Sequence, residues 1–335
     1  MRVGSFSIYN QISGSMDQDM STITQLENQL SSGKKFSKNS DNVTGVITAM
    51  DYNLELNQDS RYLSNIDSAN AILSDESTAM SSTLDALNSA KEIALEGANG
   101  TSNSQDMAAL AQQVYQIRDE LLGYANTKTA DGSSIFAGYQ TKTDAFNTST
   151  YAYQGDSGIV NAQISGAQLV PVNVPGNSAF SFSLSSPETV TQSDGSSFTY
   201  TQGSGTTINV QIKDSGNNVV DSFSFSNFMQ LANLLGDALN NGDTRRISAL
   251  MPSLDNAIDQ ATNISTDIGA RQDRLTSQQS VLESDKVDAQ TLLSGVQDDD
   301  VAQTATQLAK YQAALQALEQ STGKISSETL LDFLK

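Results

Sequence analysis

Val301-Ala302-Gln303-Thr304-Ala305-Thr306-Gln307-Leu308-Ala309-Lys310-Tyr311-Gln312-Ala313-Ala314-Leu315-Gln316-Ala317-Leu318-Glu319-Gln320-Ser321-Thr322-Gly323-Lys324-Ile325 decides the reading of this chain. Val301, Thr304, Leu308, Tyr311, Leu315, Leu318, Thr322 and Ile325 recur at intervals of 3, 4, 3, 4, 3, 4, 3. That alternation is the heptad seam of a helix lying against another helix. Asp298-Asp299-Asp300 precede it, placing carboxylates at the positive end of the helix. As metal ligands the three aspartates do not fit an EF-hand loop, which needs a glycine at its sixth position and a glutamate at its twelfth.

A matching stripe lies at the other end. At about 100° per residue from Ile8, the side chains of Ile12, Met16, Met20, Ile23, Leu26 and Leu30 fall within one arc of about 120°. The spacing predicts a helix over 7–31, stopped by Ser31-Ser32-Gly33 with Gly33 as C-terminal cap. Helical pattern resumes over 43–96 and again over 104–126, where Ser104 is the expected N-cap. Asp131-Gly132 followed by Ile135-Phe136-Ala137-Gly138-Tyr139 predicts a small hairpin.

All four prolines, Pro171, Pro175, Pro187 and Pro252, lie in the middle, which reads as short strands and turns over 147–225. Ile208, Val210 and Ile212 alternate with Asn209, Gln211 and Lys213, and Asp214 to Asn218 turns the chain into Val219–Phe225. A helix follows over 226–241, capped by Ser226, and another runs to about Leu293; Pro252 is expected to open it at its first position, the alternative being a kink in a helix that begins near Asp243. The fold class is therefore mainly α with an inserted β-rich domain, an α+β multidomain chain. Its N- and C-terminal helices pair as a coiled coil, and an antiparallel β-rich domain is inserted between the helical ends. Two terminal helices alone bury too little to be dependably stable, which argues for assembly between subunits.

Composition narrows the function. The chain has no His and no Cys among 335 residues, so thiol nucleophiles, imidazole-based triads, His- or Cys-liganded zinc and disulfides are excluded. No catalytic or cofactor-binding set and no metal site is expected. Ser, Thr, Asn and Gln number 128, slightly more than the 37% hydrophobic share, so the core is thin. A net charge of −20 opposes binding to nucleic acid or to anionic membranes. The first residues lack the apolar core of a cleaved signal peptide, and no window reaches the roughly 20 apolar residues of a membrane span.

Certain motifs resemble the flagellin superfamily of bacterial axial proteins. Leu30-Ser31-Ser32-Gly33-Lys34-Lys35 followed by Asn39-Ser40-Asp41-Asn42 resembles its N-terminal signature, with Asn42 where members usually carry a second Asp. Ile268-Gly269-Ala270-Arg271-Gln272-Asp273-Arg274-Leu275 resembles its C-terminal L-G-A-x-x-N-R-L motif. Ile135-Phe136-Ala137-Gly138-Tyr139-Gln140-Thr141-Lys142-Thr143-Asp144-Ala145-Phe146 is similar to the I-F-[AS]-G-x-x-T-x-x-x-P-F stretch of its hook-associated branch, with Ala145 replacing the usual Pro. Tyr153-Gln154-Gly155-Asp156 and the tail from Lys324 to Leu334 resemble the same branch.

The resemblance implies a terminal coiled-coil assembly domain of 1–42 and 297–335, a helical rod domain of 43–146 and 244–296, and an outward β-rich domain of 147–243 with its return helix. It implies an extracellular protein of the bacterial flagellum at the hook–filament junction, exported unfolded without a cleaved signal peptide. Its partners would be copies of itself in a ring, hook-associated protein 1, flagellin and, before assembly, an export chaperone. The expected assembly interface sets Ile8, Ile12, Ile23, Leu26 and Leu30 against Leu308, Tyr311, Leu315, Leu318 and Ile325. Alternatives are a filament subunit, a secreted carbohydrate-binding adhesin whose helices only tether it, and, last, an enzyme.

Overall fold

The computed structural model describes residues 2–99, 103–184 and 186–333, with side chains for these except 2–6, 8 and 325–333. Among them run seven helices and six strands: α1 (Arg2–Ser32), α2 (Val43–Ala98), α3 (Ser104–Ala125), β1 (Asn161–Gln163), β2 (Leu169–Pro171), α4 (Gly176–Ala179), β3 (Glu188–Thr191), β4 (Ser197–Gln202), β5 (Ile208–Lys213), β6 (Val219–Phe225), α5 (Phe228–Asn240), α6 (Thr244–Gln297) and α7 (Val301–Phe333). The chain divides into two compact units. One comprises Met1–Ser60 with Leu282–Lys335, the other Arg61–Val281.

The second unit contains both sheets. β3, β4, β5 and β6 form an antiparallel meander, and β1 pairs with β2. The expected alternation holds in β5, where Ile208, Val210 and Ile212 are buried while Asn209 and Gln211 face solvent. Phe198 and Tyr200 of β4 share that inner face. The turns fall where expected, Gly195 and Asn217 taking the left-handed backbone that tight turns demand.

An aromatic cluster anchors this unit. The Phe136 and Phe180 rings meet edge to face with centroids 4.9 Å apart, and Phe180 continues to Phe146 at 5.8 Å and Phe228 at 6.0 Å. Phe182 joins Phe225 at 5.0 Å and Phe228 at 5.3 Å. Such rings bury about 150–250 Å² each, so the six supply a large share of the apolar burial around the sheets.

Several boundaries differ from the sequence expectation for identifiable reasons. No two-stranded hairpin forms after Gly132: a single bridge joins Lys128 and Ser134, and the chain then turns repeatedly. Ile135, Phe136 and Ala137 are all buried, so the segment lacks the alternation of a strand. The caps are Asn103 for α3 and Asn227 for α5, one residue before Ser104 and one after Ser226; both asparagine side chains accept backbone N–H bonds of the first turn.

Pro252 does not open α6. The helix starts at Thr244, Asp243 Oδ1 accepts the Arg246 N–H at 3.0 Å, and Pro252 lies inside. A proline there removes the bond to the carbonyl four residues back. At the adjoining carbonyl, the buried Tyr200 hydroxyl donates to Ala249 O at 2.7 Å, so the sheet supplies a bond next to the one the ring removes.

Candidate assembly interface

In the unit formed by the two ends of the chain, α1 and α7 lie against each other. Gly33 ends α1 with φ +67°, its N–H bonded to Gln29 O at 2.8 Å. Its carbonyl accepts the Asp299 N–H at 2.9 Å, while the Lys35 N–H donates to Gln297 O at 2.8 Å. These bonds, with the Lys34–Asp298 bridge, fix the end of α1 beside the start of α7, so the two helices run antiparallel. Farther along, Thr322 Oγ1 approaches Met16 Sδ at 3.9 Å.

Ile23 and Leu26 of α1 are buried, Ile12, Met16 and Leu30 half-buried. On α7, Thr304 is buried and Leu308, Tyr311, Leu315, Leu318 and Thr322 are half-buried. The side chains of Ile8 and Ile325 lie outside the described residues. Met20 departs from the stripe at 64% exposure, and half-buried Asp19 takes its place on the inner face. Val301 is also exposed. A single helix pair covers only one side of each helix, which leaves this seam half-open along most of its length.

The Asp298–Asp300 group does three separate jobs. Asp300 Oδ1 caps α7 by accepting the Ala302 and Gln303 N–H groups, each at 3.1 Å. Asp298 Oδ2 accepts a bond from Ser294 Oγ at 2.6 Å, and Asp299 closes the link to Gly33. The loop before α2 is similarly built: Asp41 Oδ2 accepts the Lys38 N–H at 3.0 Å, and Asn42 Oδ1 caps α2 through the Gly45 N–H at 2.9 Å. Ser31 and Asn39 are exposed.

The remaining motif residues belong to the second unit and act there in packing. Phe136 and Phe146 are fully buried in the aromatic cluster. Gly138 takes φ +69°, and a Cβ there would run into the Asp156 carboxylate and carbonyl. Asp156 Oδ1 accepts the Tyr139 N–H at 2.8 Å, and exposed Tyr139 donates its hydroxyl to Ile159 O at 2.9 Å. Tyr153 donates to Asp156 O at 2.6 Å, and burial pushes its hydroxyl up to about 12. Leu275 is fully buried, Arg274 exposed, and Gly269 half-buried with open space where a Cβ would stand.

Two features escape the sequence reading. Glu76 is fully buried: one oxygen accepts the Val174 N–H at 2.9 Å and the other has no partner. Burial pushes its carboxyl up to about 8, against the opposing pull of the Val174 bond and of the Arg271 charge. Nothing in the local sequence marks it. The second feature is an exposed row on α2, Val43, Ile47, Met50 and Leu54, each between 55% and 64% exposed. Its 4, 3, 4 spacing was visible in the sequence but reads equally as core.

With this geometry in hand, the likeness to known proteins is specific. Residues 4–141 match the bacterial flagellin N-terminal helical region. Over 180 residues the chain is 28% identical to flagellar hook-associated protein 3 of Salmonella typhimurium, covering 54% of this chain and 57% of that protein. The chain is similar to flagellar hook-associated protein 3, and its N-terminal part to the flagellin N-terminal helical region. The match spans just over half of that relative's length. In fold it resembles FlgL of Xanthomonas campestris, with a TM-score of 0.57 and 17% identity over 71% of this chain and 97% of the other. It also resembles the flagellar junction protein FlgL of Legionella pneumophila, with a TM-score of 0.53 and 16% identity over 76% of this chain and all of the other.

Proposed function

We propose that this chain is a structural, non-catalytic junction protein of the bacterial flagellum. Copies assemble through the α1–α7 pair, stack on hook-associated protein 1 and present a surface on which flagellin polymerises. The observation that carries this reading is the half-open seam of Ile12, Leu30, Leu308, Tyr311, Leu315 and Leu318, a heptad surface that a second helix pair would complete. Ile23 and Leu26 hold the pair together within one chain, and Ile8 and Ile325 extend the seam toward the ends. In this arrangement 1–42 with 297–335 forms the inner assembly layer, 43–146 with 244–296 a helical rod, and 147–243 the outward β-rich part.

The location that follows is extracellular, reached by flagellar export without a cleaved signal peptide, with a chaperone covering the seam beforehand. Among the described residues no helix is long and apolar enough to cross a membrane. The similarity to hook-associated protein 3 favours a junction role over a filament subunit. Gene deletion tests it, with negative-stain imaging of the cell surface and a blot of the medium for flagellin. Bare hooks with flagellin shed as monomer are expected. Bare hooks without shed flagellin would instead identify the filament subunit, and intact filaments would overturn a flagellar role.

A further inference from the structure

The exposed row on α2 separates two flanks of opposite charge. At about 100° per residue from Val43, Ile47, Met50 and Leu54 stay within about 40° of zero. Asp51, Glu55 and Asp59 follow on one side at about 80°, 120° and 160°, and Val46, Asn53 and Ala49 lie on the other at about 300°, 280° and 240°. The second flank borders a cleft of about 320 Å³ lined by Lys34, Phe36, Lys38, Val46, Ala49 and Met50, among others. Phe36 and Ala49 supply an apolar floor. Lys34 and Lys38 make no ion pair among the described residues, whereas Lys35 Nζ is occupied by Gly295 O at 2.6 Å.

The acidic flank lacks its complement too. Asp59 is 8% exposed, and its Oδ2 is buried without a partner. Burial, then the like charges of Glu55 and Asp285, holds its carboxyl above the usual range. A chain of net charge −20 thus carries a local basic rim and, across one apolar row, an uncompensated acidic rim.

We propose that copies of this chain pack side by side through α2, the Leu54 edge with Asp51 and Glu55 of one copy seating against the Lys34–Lys38 cleft of the next. The occupant is a second copy because one surface carries both halves of the complement. Such a head-to-tail contact repeats into a ring or helix instead of closing as a dimer. This rests on the assembly reading above and names a contact separate from the α1–α7 seam.

The chain has no cysteine, so introduced thiols are unique. Full-length Lys38→Cys and Glu55→Cys proteins, mixed and oxidised, are expected to give several-fold more disulfide dimer than either alone. Added salt should lower this yield. A chain carrying both substitutions should give a ladder of trimers and larger species. Equal like-with-like cross-linking, no cross-linking, or a double variant that stops at dimers would each overturn the proposal. Intact filaments after gene deletion would remove the junction reading while leaving the cross-link pattern standing. Bare hooks with no mixed cross-link would remove only this contact.

Discussion

Glu76→Gln should remove a pH dependence of stability that the unmodified chain shows between about pH 4.5 and 8. In the folded protein burial keeps the carboxyl protonated up to about 8, against an ordinary 4.5. Between those values the unfolded chain has released the proton and the folded chain has not, so stability falls as pH rises. The stabilisation is fully present below 4.5 and is lost by about 8. At about 1.36 kcal/mol per pH unit, the loss from this one group is on the order of 3–5 kcal/mol. Glutamine keeps the shape and an oxygen for the Val174 N–H, and does not titrate. The two proteins should therefore match near pH 4, and the variant should be more stable near pH 8. Urea unfolding followed by circular dichroism across this range measures it, because other titrating groups cancel in the difference. A difference that stays constant with pH would refute the buried neutral carboxyl. A variant less stable at pH 8 would mean that Glu76 is ionised and held by Arg271.

Four further outcomes follow from packing. Gly138→Ala should cost about 2–4 kcal/mol, combining left-handed strain with a clash at Asp156, read as a lower denaturation midpoint. Tyr200→Phe should cost about 0.5–1.5 kcal/mol by removing the buried hydroxyl's bond to the Ala249 carbonyl, read as a lower midpoint in urea unfolding. Leu26→Asp should destabilise the α1–α7 pair by about 2–5 kcal/mol, seen as lost helicity with the β-rich unit retained. Leu308→Asp and Leu315→Asp, at half-buried positions, should spare most of that helicity and instead block filament assembly in complemented deletion cells.

The long elements were legible because their periodicity is carried by many residues. The seam of α7 repeats across eight positions, and β5 alternates without a fault, so local errors average out. Single residues were harder. Ser104 and Ser226 are sound caps by type, but the neighbouring asparagines occupy the cap geometry, and sequence does not rank adjacent cap formers. Pro252 has an N-terminal preference, yet it lies inside α6 beside a carbonyl that a buried tyrosine hydroxyl from the sheet bonds, and such tertiary contacts leave no mark nearby. For the candidate interface, the α1 and α7 stripes were readable, whereas the openness of the α2 row was not. Spacing gives a shared face and says nothing of what lies against it.

The two units solve burial differently, and that difference bears on assembly. Residues 61–281 contain the six-phenylalanine cluster and the ion pairs Lys91–Asp255, Lys128–Asp144, Arg246–Asp221 and Arg271–Asp267. In the unit made from the chain ends, the buried apolar side chains are few and dispersed, chiefly Ile23, Leu26, Phe36, Ala49, Leu282 and Ala289. Tyr9, Met20, Val43, Ile47, Met50, Leu54, Val287, Leu292 and Val301 of the same unit are exposed. Each is 51–64% exposed, so completing its burial would gain roughly 1–2 kcal/mol, and the free energy still available in this unit rivals the marginal stability of a whole domain. The proposed assembly would cover this surface with other copies. If so, the terminal unit should melt first in the isolated chain, and hydrogen exchange there should slow with rising protein concentration while exchange in 61–281 stays unchanged. Concentration-independent exchange in α1 and α7 would mean that these ends are already satisfied within one chain.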